Sequence, residues 1–371
     1  MVTSLYIHIP FCREKCFYCD FYSQVYRPRI AADYAQALAD QLKKLPGKFN
    51  TVFIGGGTPT VLDRKSWQKI LKALRPMIEE RAEFTVEANP ESLTADKIKL
   101  FRDNGVNRLS IGLQSLNDDK LRSLGRLHDA AGGRMAVVLA HKLGFKNISV
   151  DLIFGAPGET FRDWQKDLRQ ACALPIKHLS AYGLSYEKGT PLSQRAKQGL
   201  VVPAAEPESV KMYRYNLDYL PQRGFKHYEI SNFAEPGFAC RHNLVYWRNQ
   251  GYFGLGPSAV SYVDGVRSRN VDSVVEYLQR INEKNSPVVF KEKLPRLRRA
   301  KETAALAIRT AEGIDFDWFK RTTGFDFPDL ENDAIKICLA KKMVQYLPGK
   351  RGIALTKKGF LFADTVAMEL L

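Results

Sequence analysis

The sequence predicts an α/β fold, a partial (β/α)6 barrel followed by a small C-terminal helical, winged-helix-like domain. Three observations carry that prediction. Short β-rich runs alternate with amphipathic helical patterns from residue 1 to about 230. Six such pairs follow one another, and a parallel sheet with right-handed crossovers is the arrangement that accommodates them. The polar residues and glycines that interrupt the pattern fall at the C-terminal ends of the runs, where β/α folds gather their chemistry. A doubly wound sheet is the alternative arrangement of the same elements.

The runs are "SLYIHI" (4–9), "TVFIG" (51–55), "EFTVEA" (83–88), "NRLSIGL" (107–113), "NISVDLI" (147–153) and "KHLSAYGL" (177–184). Between them, Tyr34, Leu38, Leu42 and Leu45 recur at helical spacing. Trp67, Ile70, Leu71, Leu74, Met77 and Ile78 do the same after Asp63, an expected N-cap. Thr94 is expected to cap a helix carrying Ile98 and Phe101, with Gly105 at its C-terminal end. Phe161, Trp164, Leu168 and Cys172 form another apolar stripe; Cys338 lies beside Ile335 and Leu339. Both cysteines read as packing residues. From about residue 291 the character changes. "RAKETAALAIRTAEGI", "ENDAIKICLAKKM" and "KKGFLFADTVAMELL" read as helices, and "VQYLPGKRGIALT" as a hairpin. Helices plus a hairpin suggest a winged-helix-like module, expected to pack or dock and to cover the open side of the barrel. The expected organisation is therefore a barrel over 1–235, an extension or linker over 236–290, and the C-terminal domain over 291–371.

With 371 residues the chain is long enough for one large domain and a small one. A hydrophobic content of 45% with 26% charged residues is that of a soluble globular protein. No apolar run approaches the roughly 18 residues needed to span a bilayer. The N-terminus has no signal-peptide pattern, so a cytoplasmic location with reduced thiols is expected. The formal charge of +16 favours anionic partners, namely nucleic acid, a lipid surface or a small molecule with carboxylates or phosphates, though it also serves solubility alone. The densest basic run, "KEKLPRLRRAK" (291–301), lacks interleaved aromatics, which speaks against single-strand binding and for a linker or solvated helix start.

Three of the six cysteines lie in "IHIPFCREKCFYCDF" (7–21), as Cys12, Cys16 and Cys19. A structural zinc site wants four ligands, usually as two separated pairs, and no second pair exists. His8 lies on the strand pattern and reads as packed. A redox C-x2-C accounts for Cys16 and Cys19 but leaves Cys12 unexplained. Three thiolates in one short loop suit a four-iron, four-sulfur cluster whose open iron can chelate a ligand. Phe11, Phe17, Tyr18 and Phe21 would shield it from water. On the same rim fall "GGGTPT" (55–60), Glu87, Gln114, Asp151 and, a short step later, Arg126. The glycines would let backbone approach a ligand and offer bare N–H donors, with Pro59 fixing the exit. Gly-rich turns and strand-end carboxylates are common singly, the latter as helix caps. Their coincidence beside the cysteine loop argues for a site.

The motifs "YIHIPFC", "YCDF", "GGGTPT", "EANPES", "IGLQS", "DLIFGAPGET" and "HNLVYW" together resemble the radical S-adenosylmethionine superfamily. More narrowly, they are similar to the oxygen-independent coproporphyrinogen III oxidase family in its haem-chaperone (HemW) branch. The resemblance runs from Tyr6 to about Tyr262. It implies a partial (β/α)6 barrel holding a [4Fe-4S] cluster on Cys12, Cys16 and Cys19, with S-adenosylmethionine at the open top. Gly56, Gly57 and Thr58 would face its amino group; Glu87, Gln114, Arg126 and Asp151 would line the rest of the pocket, with Tyr6 and Tyr18 beside it. An electron from the cluster would cleave the sulfonium to a 5′-deoxyadenosyl radical. Phe21 stands where the oxidase pattern continues to a further cysteine, and five residues precede Tyr6 where the oxidase carries a long arm. Both departures imply the carrier branch, which binds haem and passes it to acceptor proteins, membrane-associated ones among them. An electron donor to the cluster is a further implied partner, a homodimer is left open, and nucleic acid is not expected.

His242, in "HNLVYW", is then the candidate haem contact, with Tyr246 and Trp247 able to stack on the macrocycle. The plainer reading is a hydrogen-bonded histidine in an irregular segment. His128 and His141 fall in a helical pattern and read as structural. "GLGPSA" (254–259) does not open a helix, so it is rejected as a dinucleotide site. Two other classes remain: a radical enzyme decarboxylating or methylating a tetrapyrrole, and an RNA-modifying radical enzyme, which would show a steep salt dependence.

Overall fold

In the computed structural model, which describes residues 2–371, six parallel strands follow one another across a sheet in the order of the sequence. They are β1 (Ser4–Ile9), β2 (Phe49–Gly56), β3 (Ile78–Ala88), β4 (Arg108–Gln114), β5 (Asn147–Phe154) and β6 (His178–Gly183). A doubly wound sheet would reverse its order at a switch point. This order never reverses, so right-handed crossovers carry every helix to one face, as in a barrel.

Each expected run is a strand. The largest boundary error is at β3, which begins at Ile78. The preceding helix, Arg64–Leu74, stops ahead of Pro76, so Met77 and Ile78 lie beyond it. Its N-terminus is capped as expected, Ser66 N donating to Asp63 Oδ1 at 2.7 Å. Thr94 caps the helix Ala95–Asp103. His128 lies just before the helix Ala130–Lys142 rather than in it, its Nε2 bonded to the Leu113 carbonyl.

The two faces of the sheet differ in chemistry. On the outer face Leu5, Ile7, Val52, Ile54, Phe84, Val86, Leu109, Ile111, Ile148 and Val150 are fully buried. They meet helix residues such as Tyr34, Leu38, Trp67, Ile70, Phe101, Trp164 and Leu168, also fully buried. Each such side chain contributes about 1.5–3 kcal/mol. On the inner face the register aligns Tyr6, Phe53, Thr85 and Arg108, while Glu87, Ser110 and Ser149 lie in line one step further along. A parallel sheet buried on both faces reads as continuous apolar runs. Here the runs alternate, because the inner face lines a polar lumen.

Segment 236–290 is more than a linker. Its strand Phe253–Leu255 pairs in parallel with the free edge of β1. Antiparallel strands Asn232–Ala234 and Lys226–Glu229 extend the opposite edge beyond β6. "GLGPSA" leaves the first of these strands and enters the hairpin Val260–Val263 and Val266–Asn270, not a helix.

Beyond it come helix Arg296–Ala307, strand Ile314–Asp315, helices Phe316–Thr323 and Phe327–Ala340, and strands Val344–Tyr346 and Gly352–Leu355. The three strands form one antiparallel sheet, the order of a winged-helix module. The expected last helix is two, Lys357–Leu361 and Ala363–Glu369. Helix Phe327–Ala340 exposes Asp329 and Asp333 with Lys336, while Glu331 is buried and paired with Lys301 at 3.3 Å, so its surface offers little to a phosphate backbone. The module meets the barrel at its edge strands and at helix Arg241–Trp247, through Ala311 N to Tyr228 O at 2.9 Å and Arg248 to Glu312 at 3.0 Å, not across the cysteine rim. Among the described residues no helix is long and apolar enough to cross a membrane.

Candidate functional site

The cysteine loop leaves β1 through Pro10 and is pinned at several points. Gln24 N donates to Pro10 O at 2.9 Å and Tyr26 N to Cys12 O at 2.8 Å, closing the loop on itself. Phe17 N donates to Leu124 O at 3.1 Å, and Leu192 N to Phe17 O at 2.8 Å, tying it to neighbouring loops. Cys12, Cys16 and Cys19 are half-buried free thiols. Burial pushes the Cys12 thiol up and that of Cys19 to about 11. Phe11 is fully buried and Phe17 half-buried, but Phe21 is 64% exposed. It turns to solvent and shields nothing, contrary to the sequence expectation.

The glycine loop is built against the cysteine loop. Gly57 N donates to Ile9 O at 2.8 Å and Thr58 N to Phe11 O at 2.7 Å. Gly56, at φ +107, donates its N–H to Glu87 Oε2 at 3.2 Å. These N–H groups are therefore spent within the protein and are not the bare donors expected from sequence. The glycines are required by close approach instead. A Cβ on Gly57 would fall 3.0 Å from Cys12 Sγ, and one on Gly55 2.7 Å from Glu87 Oε2.

The structure brings Tyr6, Tyr18, Glu87, Gln114, Arg126 and Asp151 to the rim beside these loops. Arg126 Nη1 donates to Cys16 Sγ at 3.3 Å and its Nη2 to Gly112 O at 2.9 Å. Gln114 holds φ +64 in an irregularity of β4. For a residue with a Cβ that conformation costs about 1–3 kcal/mol and is typical of functional positions. Asp151 accepts weakly from Ser110 Oγ at 3.4 Å. Burial, then the neighbouring Asp151, pushes Glu87 up to about 8; burial also raises Asp151. Burial holds the Tyr6 and Tyr18 phenols protonated. Tyr6 Oη donates to His8 Nδ1 at 3.0 Å, since His8 Nε2 must donate to the Tyr22 carbonyl at 2.8 Å. His8 thus links this phenol to the end of the cysteine loop, a role its strand position concealed.

Two features fit the groups that the resemblance implies. The donor set is three cysteine sulfurs, two of them receiving hydrogen bonds, beside a glycine whose Cβ would reach Cys12 Sγ. Arg126 Nε is buried with no protein partner, a donor free for an anionic group, while two carboxyl groups stand ready for a cationic one.

His242 is not brought to this rim. It lies on helix Arg241–Trp247, packed at the N-terminal end of β2, and is 1% exposed. Its Nδ1 bonds Thr51 Oγ1 at 2.8 Å, its Nε2 bonds Tyr246 Oη at 2.9 Å, and its ring stacks on Phe53 at 5.3 Å. Glu83 accepts the Arg241 and His242 N–H groups, each at 3.0 Å. Burial, helped by Arg108, drives the imidazole down to about 3. Both ring nitrogens are committed, so in this arrangement neither can take a haem iron.

The Radical SAM superfamily profile matches residues 6–171. The chain is 33% identical to "Heme chaperone HemW" of Lactococcus lactis, covering 100% of this chain and 97% of that protein. It is 33% identical to the protein of the same name in Bacillus subtilis, covering 98% of each. In fold it is similar to the coproporphyrinogen III oxidase HemN of Escherichia coli, with a TM-score of 0.85 at 23% identity over 100% of this chain and 90% of that one.

Proposed function

Because the chain belongs to the HemW haem-chaperone family of the radical S-adenosylmethionine superfamily, we propose that it is a haem carrier with an intact cofactor rim. In this reading Cys12, Cys16 and Cys19 hold a [4Fe-4S] cluster. Glu87, Gln114, Arg126 and Asp151 hold S-adenosylmethionine with Gly56, Gly57, Thr58, Tyr6 and Tyr18. Haem is bound and passed to acceptor proteins in the cytoplasm. When bound, the cluster supplies the electron for cleavage of the sulfonium.

The observation that carries the reading is convergence. Three thiolates, an arginine with a free buried N–H and two facing carboxyl groups meet on one rim, in a chain similar to haem chaperones over its whole length. Each residue has a task there. Arg126 offers its Nε–H to a carboxylate while resting on Cys16. Glu87 and Asp151 offer negative charge to a cationic ligand. The pinned loops hold the three cysteines in place.

The test is anaerobic reconstitution followed by parallel assays. Iron and sulfide should reach about four each per chain, as one such cluster requires. Haem titration should give a saturable visible spectrum, and coproporphyrinogen III should not be decarboxylated. Steady conversion of coproporphyrinogen to protoporphyrinogen would replace the carrier reading with that of a radical enzyme.

A further inference from the structure

Asn89 follows β3 directly and precedes a short 3-10 turn, Pro90–Ser92. In sequence it reads as the cap of that turn, but its side chain makes no capping bond. Both ends of its carboxamide go instead to groups that touch the cysteines. Arg126 Nη2 lies 2.7 Å from Asn89 Oδ1, and Asn89 Nδ2 lies 2.9 Å from Thr58 Oγ1. A guanidinium only donates, so the amide orientation is fixed, with oxygen toward Arg126 and the NH2 toward Thr58. The Thr58 hydroxyl therefore accepts from Asn89 and keeps its own hydrogen for Cys12 Sγ, 3.5 Å away. On the other side Arg126 Nη2 is held by both Asn89 Oδ1 and Gly112 O, which leaves Nη1 on Cys16 Sγ at 3.3 Å. Gly112 leaves room for this arrangement, since a Cβ there would fall 3.0 Å from Asn89 Oδ1.

We infer that Asn89 is a positioning residue for the cluster: it aims Thr58 at Cys12 and Arg126 at Cys16, and so raises the reduction potential. The inference rests on the reading that these thiolates hold a [4Fe-4S] cluster. Hydrogen bonds to the ligating sulfurs stabilise the more negative, reduced state. The two donors serve two of the three thiolates. One neutral side chain that makes no cap thus governs both side-chain donors.

The experiment is an anaerobic redox titration followed by electron paramagnetic resonance, with iron and sulfide counted in the same samples. The proteins are wild type, Asn89→Ala, Thr58→Val, Thr58→Ser and the Asn89→Ala/Thr58→Val double variant. Each lost donor should shift the one-electron reduction equilibrium about tenfold toward the oxidised form, ~59 mV. Asn89→Ala should lower the midpoint most, Thr58→Val by one such step, and Thr58→Ser should stay at wild type. The double variant should fall no lower than Asn89→Ala, because Asn89 acts through Thr58. A full complement of iron with a wild-type midpoint in Asn89→Ala overturns the inference, as does strict additivity in the double variant. If Asn89→Ala loses its iron, Thr58→Val decides, and an unmoved midpoint there overturns the inference. Absence of iron from wild type would instead overturn the cluster reading itself.

Discussion

The two ends of the barrel lumen hold similar residue types and use them in opposite ways. At the floor, His242 and His178 each spend both ring nitrogens on neighbours, and Glu83 spends both carboxylate oxygens on the helix Arg241–Trp247. At the rim, Glu87 faces Asp151 without a compensating ion pair, Arg126 keeps a buried N–H free, and Gln114 sits in a left-handed backbone conformation. Polar groups that satisfy each other close a fold; polar groups left wanting hold a ligand. Arg108, beside His242, Glu83 and Cys240, is the exception at the floor, since its Nε and Nη1 are buried without a protein partner. A histidine in a distinctive motif can belong to either kind, and only its partners tell which.

The largest contrast should come from the cysteines. Replacing Cys12, Cys16 and Cys19 together with alanine should remove all of the iron. Cys240→Ser, a floor cysteine in contact with Glu83, should keep all of it, as should serine at Cys172 or Cys338. Iron and sulfide analysis of anaerobic samples decides this. A triple variant with its full iron content would erase the distinction between rim and floor.

The floor should show itself in stability. His242→Ala leaves Thr51 and Tyr246 without their partner and opens a cavity under Phe53. A loss of about 2–5 kcal/mol is expected, read from denaturant unfolding, with iron content and S-adenosylmethionine affinity unchanged. The comparison breaks if His242→Ala unfolds like wild type yet loses the haem spectrum. In that case the floor opens to admit haem, and the closed arrangement is one of two states.

Much of this was legible in the sequence. The six strands, the caps at Asp63 and Thr94 and the placing of Glu87, Gln114 and Asp151 follow from local patterns of period, capping and strand ends, while Tyr6 and Tyr18 came from the resemblance alone. Phe253–Leu255 was not, because three residues in a Gly-rich stretch carry no period and pair only with a distant edge. Nor was the fate of the glycine N–H groups, which depends on Ile9, Phe11 and Glu87 arriving from other strands. The polar lumen had a signal that went unread. "FTVE" and "RLSIG" alternate, whereas strands covered on both faces by apolar layers do not. Asn89 was hidden because its partners, Thr58 and Arg126, lie 31 and 37 residues away.

Within the rim, single substitutions should act on the ligand. Glu87→Ala, Gln114→Ala and Asp151→Ala should each weaken S-adenosylmethionine binding by about 1–3 kcal/mol, roughly fivefold to 150-fold, while the cluster absorbance persists. Equilibrium binding under anaerobic conditions measures it. Unchanged affinity in all three would mean that these residues, like those of the floor, serve only the fold.

The smallest and sharpest effect is on protons. Glu87 is held at about 8 by burial and by Asp151, against the opposing pull of the Gly56 N–H and of Arg108. Tyr6, also beside it, stays protonated throughout this range. Free Glu87 is therefore mostly neutral at pH 7. A ligand with a sulfonium and an ammonium group favours the carboxylate, so binding should release up to one proton. Affinity should rise by up to tenfold per pH unit toward pH 8 and level off above it. The same shift acts on folding. Glu87 supports the unliganded fold fully below the ordinary carboxylate range, and that support is lost as pH climbs to about 8. Calorimetry in two buffers of different ionisation enthalpy counts the proton, and Glu87→Gln should abolish both its release and the slope. A slope that survives in Glu87→Gln would move the titrating group to Asp151. No slope in wild type would show that Glu87 is already ionised in the free rim, so that the rim leaves no carboxyl group wanting.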